Sequence, residues 1–591
     1  MTQYFNTILH GLILFILCTA CNPGSSGNKD QVNHPNVILI LTDDQGWGDL
    51  GINGNDKIST PVIDKMATDG VQFDRFYVSP LCAPTRASLL TGRYYLRTST
   101  SWVSKGLENM NSQEVTIAEI FKNRGYATGC FGKWHNGAHF PQHPNQQGFD
   151  EFIGFCAGHW NNYFSTNLEH NGEPFPTNGY ITDVLTDEAL KFIEQNKDNQ
   201  FFCYIPYNAP HGPFQVPDQY FDKYKGLGFN DKDAAVYGMC ENIDNNVGRI
   251  IQKVDELNLS DNTIISFLTD NGPNGQRYNG GMRGIKGSIH EGGVRVPFII
   301  QWKGKIKPKT ISQIAGHIDI LPTLVSLCEL EPPVTLPLDG FDLSDLMLSY
   351  SDTLPQRLYF TKKSTESIIP DGAARSDRYR MVIENGDTML FDMLNDPGQK
   401  TDVSSMEKEM TNSLAIAYYK WYNDVTSEYT PDTEIRIGYG GEKTAYLPAH
   451  EAGFSGNIHF MEGHGWAHDW LVNWVSQSDS IYWDVVVDQQ STFSVELLYS
   501  CPEEFPGSQL SIHSGKSEQL TRIINAHNPE YFPSPDRVER IEVYEKDWGK
   551  LAMGTIKISD GRQRIVLKAQ HIPHGQVGEI KGLQLTKTVA D

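Results

Sequence analysis

The segment Cys82-Ala83-Pro84-Thr85-Arg86 sets a thiol just ahead of a proline and an arginine. Ala87-Ser88-Leu89-Leu90-Thr91-Gly92-Arg93 continues it. Pro84 suits the first turn of a helix and Gly92 can end one. The pattern therefore predicts a helix with Cys82 at its positive end, where negative charge is stabilised. A thiol in that place is a nucleophile, a metal ligand or a buried packing group, and the motif alone leaves all three open. A second set is acidic: Asp43, Asp44, Asp270 and Asn271. Three carboxylates and an amide oxygen, with no thiolate or imidazole, suit a hard divalent cation, and calcium accepts oxygen ligands of this kind from loops. Magnesium is the alternative, and plain strand-end caps are the non-metal reading. A third set is basic: Arg86, Lys133, His135, His211 and Lys286. Such cations can neutralise charge developing on a leaving oxygen, and a histidine can carry protons. The chain has 18 histidines, so no single one decides anything.

These residues are far apart in sequence, but the elements ahead of them share one property. Val37 to Thr42 runs into Asp43-Asp44, and Tyr126 to Phe131 into Gly132-Lys133-Trp134-His135. Phe201 to Tyr207 runs into Asn208-Ala209-Pro210-His211, and Thr263 to Thr269 into Asp270-Asn271. Near-continuous apolar runs of this length are strands buried on both faces. Helical patterns lie between them, as at Thr116–Lys122 and Glu188–Gln195. Strands alternating with helices predict an α/β fold with a mostly parallel central sheet. Ligands of such sheets bind beyond the carboxyl ends of the strands, which gathers all three sets at one edge.

With 591 residues the chain exceeds one compact core. The catalytic α/β region is expected over 35–335. A small antiparallel subdomain is expected over 336–425, with a hairpin turning at Asn385-Gly386 and a helix over Ser413–Tyr422. From 430 to 591 alternation replaces helical patterning. Phe493, Val495, Leu497 and Tyr499 share one face, as do Trp483, Val485 and Val487, which predicts a β-sandwich. Trp466, Trp470 and Trp474, with His464 and His468, either fill or dock that sandwich or stack on sugars.

Net charge is −23, which argues against nucleic acid as a partner. It also repels a polyanion at long range, although salt screens beyond about 8 Å, so binding one would rest on a few local cations. The nine cysteines are scattered, with no zinc spacing and no disulfide framework, and Cys130 and Cys203 lie in apolar runs that predict burial. Residues 1–20 read as a signal peptide, since Ile8 to Ala20 falls short of the roughly 20 apolar residues of a membrane span. Thr19-Ala20-Cys21 resembles a lipoprotein cleavage site, although the first ten residues lack Lys and Arg and Cys18 stands where leucine is usual. Residues 21–34 have a tether composition. The expectation is export, with a lipid anchor at Cys21 holding the protein to a membrane in the periplasm or on the outer-membrane surface.

The cysteine motif resembles the signature of the formylglycine-dependent sulfatases of the alkaline phosphatase superfamily. Further motifs match that family in its order: Asp43-Asp44-Gln45-Gly46, Gly132-Lys133-Trp134-His135, Ala209-Pro210-His211, Thr269-Asp270-Asn271-Gly272, Gly284 to Pro297, and His317 to Thr323. The resemblance covers about residues 35–425 and extends to bacterial polysaccharide sulfatases. It implies that a maturation enzyme oxidises Cys82 to formylglycine, whose hydrate attacks a sulfate ester. It implies a calcium ion held by Asp43, Asp44, Asp270, Asn271 and the hydrate at position 82. Arg86, Lys133 and Lys286 would bind sulfate and support the hydrate. His211, with Lys286, would protonate the leaving alcohol, and His135 would take the proton that lets sulfate depart. The implied substrate is a sulfated polysaccharide or oligosaccharide, with the marine ulvan type as one case. A phosphonate or phosphate ester hydrolase of the same superfamily is the alternative, as is a non-catalytic glycan-binding protein. One departure stands out: Asn136 occupies a position where the family usually has leucine.

Overall fold

In β1 (Asn36–Thr42) every residue is buried, and successive side chains enter different cores. Val37, Leu39 and Leu41 join one apolar cluster, while Ile38 and Ile40 join the other. This is the period of two expected of a strand covered on both faces. Each such aliphatic side chain contributes about 1.5–3 kcal/mol when fully buried.

The other strands of the central sheet are β2 (Val71–Tyr77), β3 (Ala127–Lys133), β4 (Glu151–Phe155), β5 (Asn167–His170), β6 (Glu173–Pro176), β7 (Phe201–Pro206), β8 (Thr263–Thr269), β9 (Arg295–Trp302) and β10 (Lys309–Ile311). Their order is β10-β2-β9-β8-β1-β7-β3-β4-β5-β6, with Ala315–Gly316 also paired to β2. The run β8-β1-β7-β3-β4 is parallel throughout. β9 enters antiparallel between β8 and β2, and β5 and β6 add antiparallel strands at the far edge. The sheet is mixed α/β with a parallel centre, as the alternation of strands and helices predicts.

This computed structural model describes residues 34–331, 336–515 and 520–588. The expected signal peptide, the anchor at Cys21 and nearly all of the tether lie outside the described residues. Among the described residues no helix is long and apolar enough to cross a membrane. The seven described cysteines are all buried, Cys130 and Cys203 among them.

Beyond the central sheet, Tyr359–Lys362, Gly372–Arg375, Tyr379–Glu384 and Asp387–Asp392 form a four-stranded antiparallel sheet. Asn385 (φ 54°) and Gly386 (φ 87°) make its tight turn. The Lys408–Ser427 helix, longer than the segment expected from sequence, packs on it through Leu414, Tyr418 and Trp421. From Ile435 onward two further sheets face one another across a single core. Trp470, Trp474 and Trp483 fill that core at 1% exposure or less, so Trp470 and Trp474 do not stack on sugars. Trp466 differs: it is 39% exposed and stacks on His464.

Candidate active site

Parallel register builds the acidic set. Leu41 pairs with Leu268 and Thr42 with Thr269, so the next residues, Asp43-Asp44 and Asp270-Asn271, emerge side by side. The Asp43 amide donates to the Ala209 carbonyl beyond β7, which brings the His211 loop to the same edge. Lys133 ends β3 on the other side of β7. The helix Cys82–Thr91 starts at Cys82 and ends at Gly92 in the left-handed conformation. Its proline falls in the first turn, where the missing N–H costs no helical bond.

All four acidic-set residues are buried, as are Cys82, Arg86, Lys133 and His135, while Lys286 and His211 are partly exposed. Lys133 Nζ sits 2.5 Å from Asp43 Oδ2, and Lys286 Nζ 2.7 Å from Asp44 Oδ1. His211 Nε2 lies 3.7 Å from Asp44. Donor atoms of Asp43, Cys82 and Asp270 converge within 4.8 Å of one another, and so do those of Asp43, Asp44 and His211. Burial would raise the Asp43 carboxyl, but Lys133, His211, Arg86 and Lys286 outweigh it and hold it well below the usual range. Burial and the charge of Asp43 together push Asp270 up.

Asp43 Oδ1 and Asn271 Oδ1 are buried acceptors with no hydrogen-bond donor among the described residues. Buried acceptors in that state are costly unless something electropositive meets them. The Asn271 amide donates from Nδ2 to Asp44 Oδ1 at 2.8 Å, which aims its carbonyl oxygen elsewhere. The donor set is therefore oxygen from three carboxylates and an amide, and it fits a divalent cation such as calcium.

The cations are not equivalent. Arg86 donates through Nε and Nη2 to Asp270 Oδ2 at 3.2 and 2.8 Å, and through Nη1 to the Lys133 carbonyl at 2.7 Å. Its fork braces the acidic cluster and the end of β3. Lys286, on the open side, keeps access to an incoming anion. The two histidines differ as well. His211 Nδ1–H donates to the Gly212 carbonyl at 2.8 Å, so Nε2 is the atom turned to the site. His135 Nε2–H donates to the Val103 carbonyl at 3.0 Å, and its buried Nδ1 has no partner among the described residues. Burial, reinforced by Lys133, keeps His135 well below the ordinary imidazole range, hence neutral and able to accept a proton.

Backbone strain marks the same place. Asp44 (φ 68°) and His135 (φ 61°) are both left-handed, at about 1 kcal/mol or more each. Gly132 (φ 144°) lies where a Cβ would meet the Pro206 carbonyl oxygen at 2.0 Å. Gly158 faces the His135 ring, where a Cβ would fall 2.6 Å from Nε2.

Some functional residues escaped the sequence reading. Asn274 Nδ2 donates to Asp44 Oδ2 at 3.1 Å, and Arg277 donates to the Asp44 carbonyl while pairing with Asp49. Their signal was weak: polar residues in the loop after Asp270-Asn271. The Glu291 motif acts in packing. Its carboxylate accepts from Tyr77 at 2.8 Å and from Arg380 at 3.0 Å, joining β2 to the four-stranded sheet.

Cys82 itself is 2% exposed, and burial raises its thiol above the usual value despite Lys133 and Lys286 nearby. A thiolate nucleophile is thus disfavoured where the cations converge.

A family model described as Sulfatase matches residues 35–330. The N-acetylgalactosamine-6-sulfatase of Canis lupus familiaris is 35% identical over 377 residues, covering 57% of this chain and 70% of that protein. The N-acetylgalactosamine-6-O-sulfatase of Bacteroides thetaiotaomicron is 30% identical, over 68% of this chain and 95% of its own length. Among solved structures, Ps i-CgsB in complex with k-i-k-neocarrahexaose superimposes with a TM-score of 0.63 at 30% identity, over 68% of this chain and 95% of that one. The chain belongs to the sulfatase family and is a sulfuric ester hydrolase.

Proposed function

We propose that this protein removes sulfate from sulfated polysaccharides or their oligosaccharides, using a formylglycine at position 82 and one calcium ion. The observation that carries the reading is the convergence of Cys82 with Asp43 and Asp270 within 4.8 Å, ringed by Lys133, Arg86 and Lys286. Asp43, Asp44, Asp270 and Asn271 would hold the cation. Position 82, once oxidised and hydrated, supplies a hydroxyl nucleophile at the helix N-terminus. Lys286 and Lys133 offset the negative charge of the sulfate group. His211, protonated on both ring nitrogens, would donate from Nε2, on the open side, to the departing alcohol oxygen while Nδ1–H stays on the Gly212 carbonyl. His135 Nδ1, neutral and unpartnered, accepts the proton from the second hydroxyl at position 82.

The glycan class is supported by relatives named for N-acetylgalactosamine-6-sulfate and by a neighbour solved with neocarrahexaose. Ulvan-type sugars remain one arm of the same substrate panel. Export and a lipid anchor at Cys21 belong to this reading, resting on the N-terminal sequence; fatty-acid labelling lost in Cys21→Ala tests them. The central test labels the purified protein with an aldehyde-reactive probe, locates it by peptide mass spectrometry, and assays 4-nitrophenyl sulfate beside the matched phosphate. Aldehyde at position 82 and preference for sulfate are expected. An unmodified Cys82 in active protein would sink the formylglycine reading.

A further inference from the structure

The family match ends at residue 330, yet residues far beyond it reach the active-site rim. Two loops of the C-terminal sheets do so. His468 donates from Nε2 to the His159 carbonyl at 3.1 Å and sets its ring edge-on to Trp160 at 4.6 Å. His159 in turn lies parallel to His211 at 6.5 Å. The second loop is pinned by Arg540, which donates to the Asn161 carbonyl at 2.7 Å, and by Asp536, which accepts from Gln215 at 2.8 Å.

That pinning delivers Glu542 to the site. Its Oε1 lies 2.6 Å from where a Cβ on Gly212 would stand, against the residue whose carbonyl accepts from His211. Lys232 holds its ammonium over the Phe214 ring at 4.8 Å, within electrostatic reach of Arg277, Asp44, Asp233 and Glu542. The Glu542 and Lys232 side chains are half-buried. Among the described residues neither the Glu542 carboxylate nor Lys232 Nζ has a hydrogen-bond or ion-pair partner. An acceptor held against Gly212, next to the leaving-group histidine, and a cation within electrostatic reach of that acceptor and of Asp44 are placed for the alcohol half of the substrate.

We propose that the C-terminal β domain completes the sugar-binding half of the active site: Glu542 accepts hydrogen bonds from hydroxyls of the sugar bearing the sulfate, and Lys232 binds a second anionic group, a carboxylate or another sulfate, on that sugar or its neighbour. The inference rests on the sulfatase reading of the site. It also answers the net charge of −23, which leaves polyanion binding to a few local cations.

The test compares full-length Glu542→Gln and Lys232→Met with wild type. Substrates are 4-nitrophenyl sulfate, a uronate-bearing chondroitin-6-sulfate disaccharide, and a disulfated neocarrahexaose. The readout is the ratio of kcat/KM for each oligosaccharide to that for the aryl sulfate, whose turnover doubles as a check on folding. Losing a hydrogen bond to a charged group should lower this ratio about tenfold or more. For Lys232→Met, the uronate and disulfated arms show which anion it binds. Ratios that stay near wild type in both variants would overturn the proposal. A wild-type protein that turns over no sulfate ester would instead overturn the reading beneath it.

Discussion

The Asn136 side-chain amide donates to the Ala83 carbonyl at 3.0 Å, tying the end of β3 to the first turn of the Cys82 helix. Asn136 is fully buried, and it is the position at which the chain departs from the usual family motif. The departure therefore acts as a positional tie next to the reactive residue.

Replacing it tests how much that tie matters. Asn136→Leu loses two neutral hydrogen bonds, to the Ala83 and Glu108 carbonyls, and stability should fall by about 1–3 kcal/mol in denaturant unfolding. The sulfate contacts stay in place, so kcat for an aryl sulfate should fall less than tenfold, about 1.4 kcal/mol of barrier at most.

Gly158→Ala should act on the reaction more than on the fold. The new Cβ meets His135 Nε2 at 2.6 Å and must push the ring off the Val103 carbonyl. A displaced proton acceptor costs on the order of a hundredfold in kcat. Steady-state kinetics beside a thermal melt separates this from unfolding.

Lys133→Ala leaves Asp43 buried without its nearest cation. Breaking a buried pair of this kind costs about 3–5 kcal/mol. The melting temperature should drop sharply and sulfatase activity should be lost. Lys133→Arg should not restore it, because the guanidinium is too large for a fully buried 2.5 Å contact.

Chelation should reveal the cation through stability as well as turnover. Calcium at about a hundredfold over its Kd adds roughly 2.7 kcal/mol to the folded state. EGTA should lower the melting temperature, and calcium should restore it better than magnesium. In Asp43→Asn with Asp270→Asn the calcium-dependent shift should vanish.

Stability should also fall on mild acidification through His317. Burial holds its imidazole down at about 3, where its Nδ1–H donates to the Tyr77 carbonyl at 3.2 Å. The unfolded imidazole takes up a proton near pH 6.5, the folded one only near 3. Between those values the unfolded state binds more protons, so this contribution is full above pH 6.5 and is lost as pH falls toward 3. The slope is about 1.4 kcal/mol per pH unit at most. Unfolding curves of His317→Gln should be flatter over that window by this amount, and an unchanged slope would remove His317 as the cause.

Much of the site was legible because parallel strands buried on both faces must be apolar throughout, and polar residues can appear only where they end. Asp43-Asp44, Lys133 and Asp270-Asn271 announce themselves by ending such runs. Asn274, Arg277, His159 and Glu542 carry no such mark, because they sit in loops whose sequence places no constraint on direction. The aromatic run from His464 to Trp474 was ambiguous for a related reason: hydrophobicity says that a ring is buried, not against what. Two of its tryptophans fill the core and one stays exposed.

By itself, the amino-acid sequence determined the strand set, the helix at Cys82, the acidic and basic ligand types and the family they resemble, since each depends on local pattern or on residue chemistry. Only the tertiary structure decided the division of labour. Register set Asp43 beside Asp270, burial spent Arg86 on Asp270 and Lys133, and carbonyl partners fixed which nitrogen each histidine presents. Packing of the C-terminal loops then brought Glu542 to Gly212, a proximity between residues 330 positions apart. Contacts that distant in sequence depend on the whole packed surface, and no local pattern encodes them.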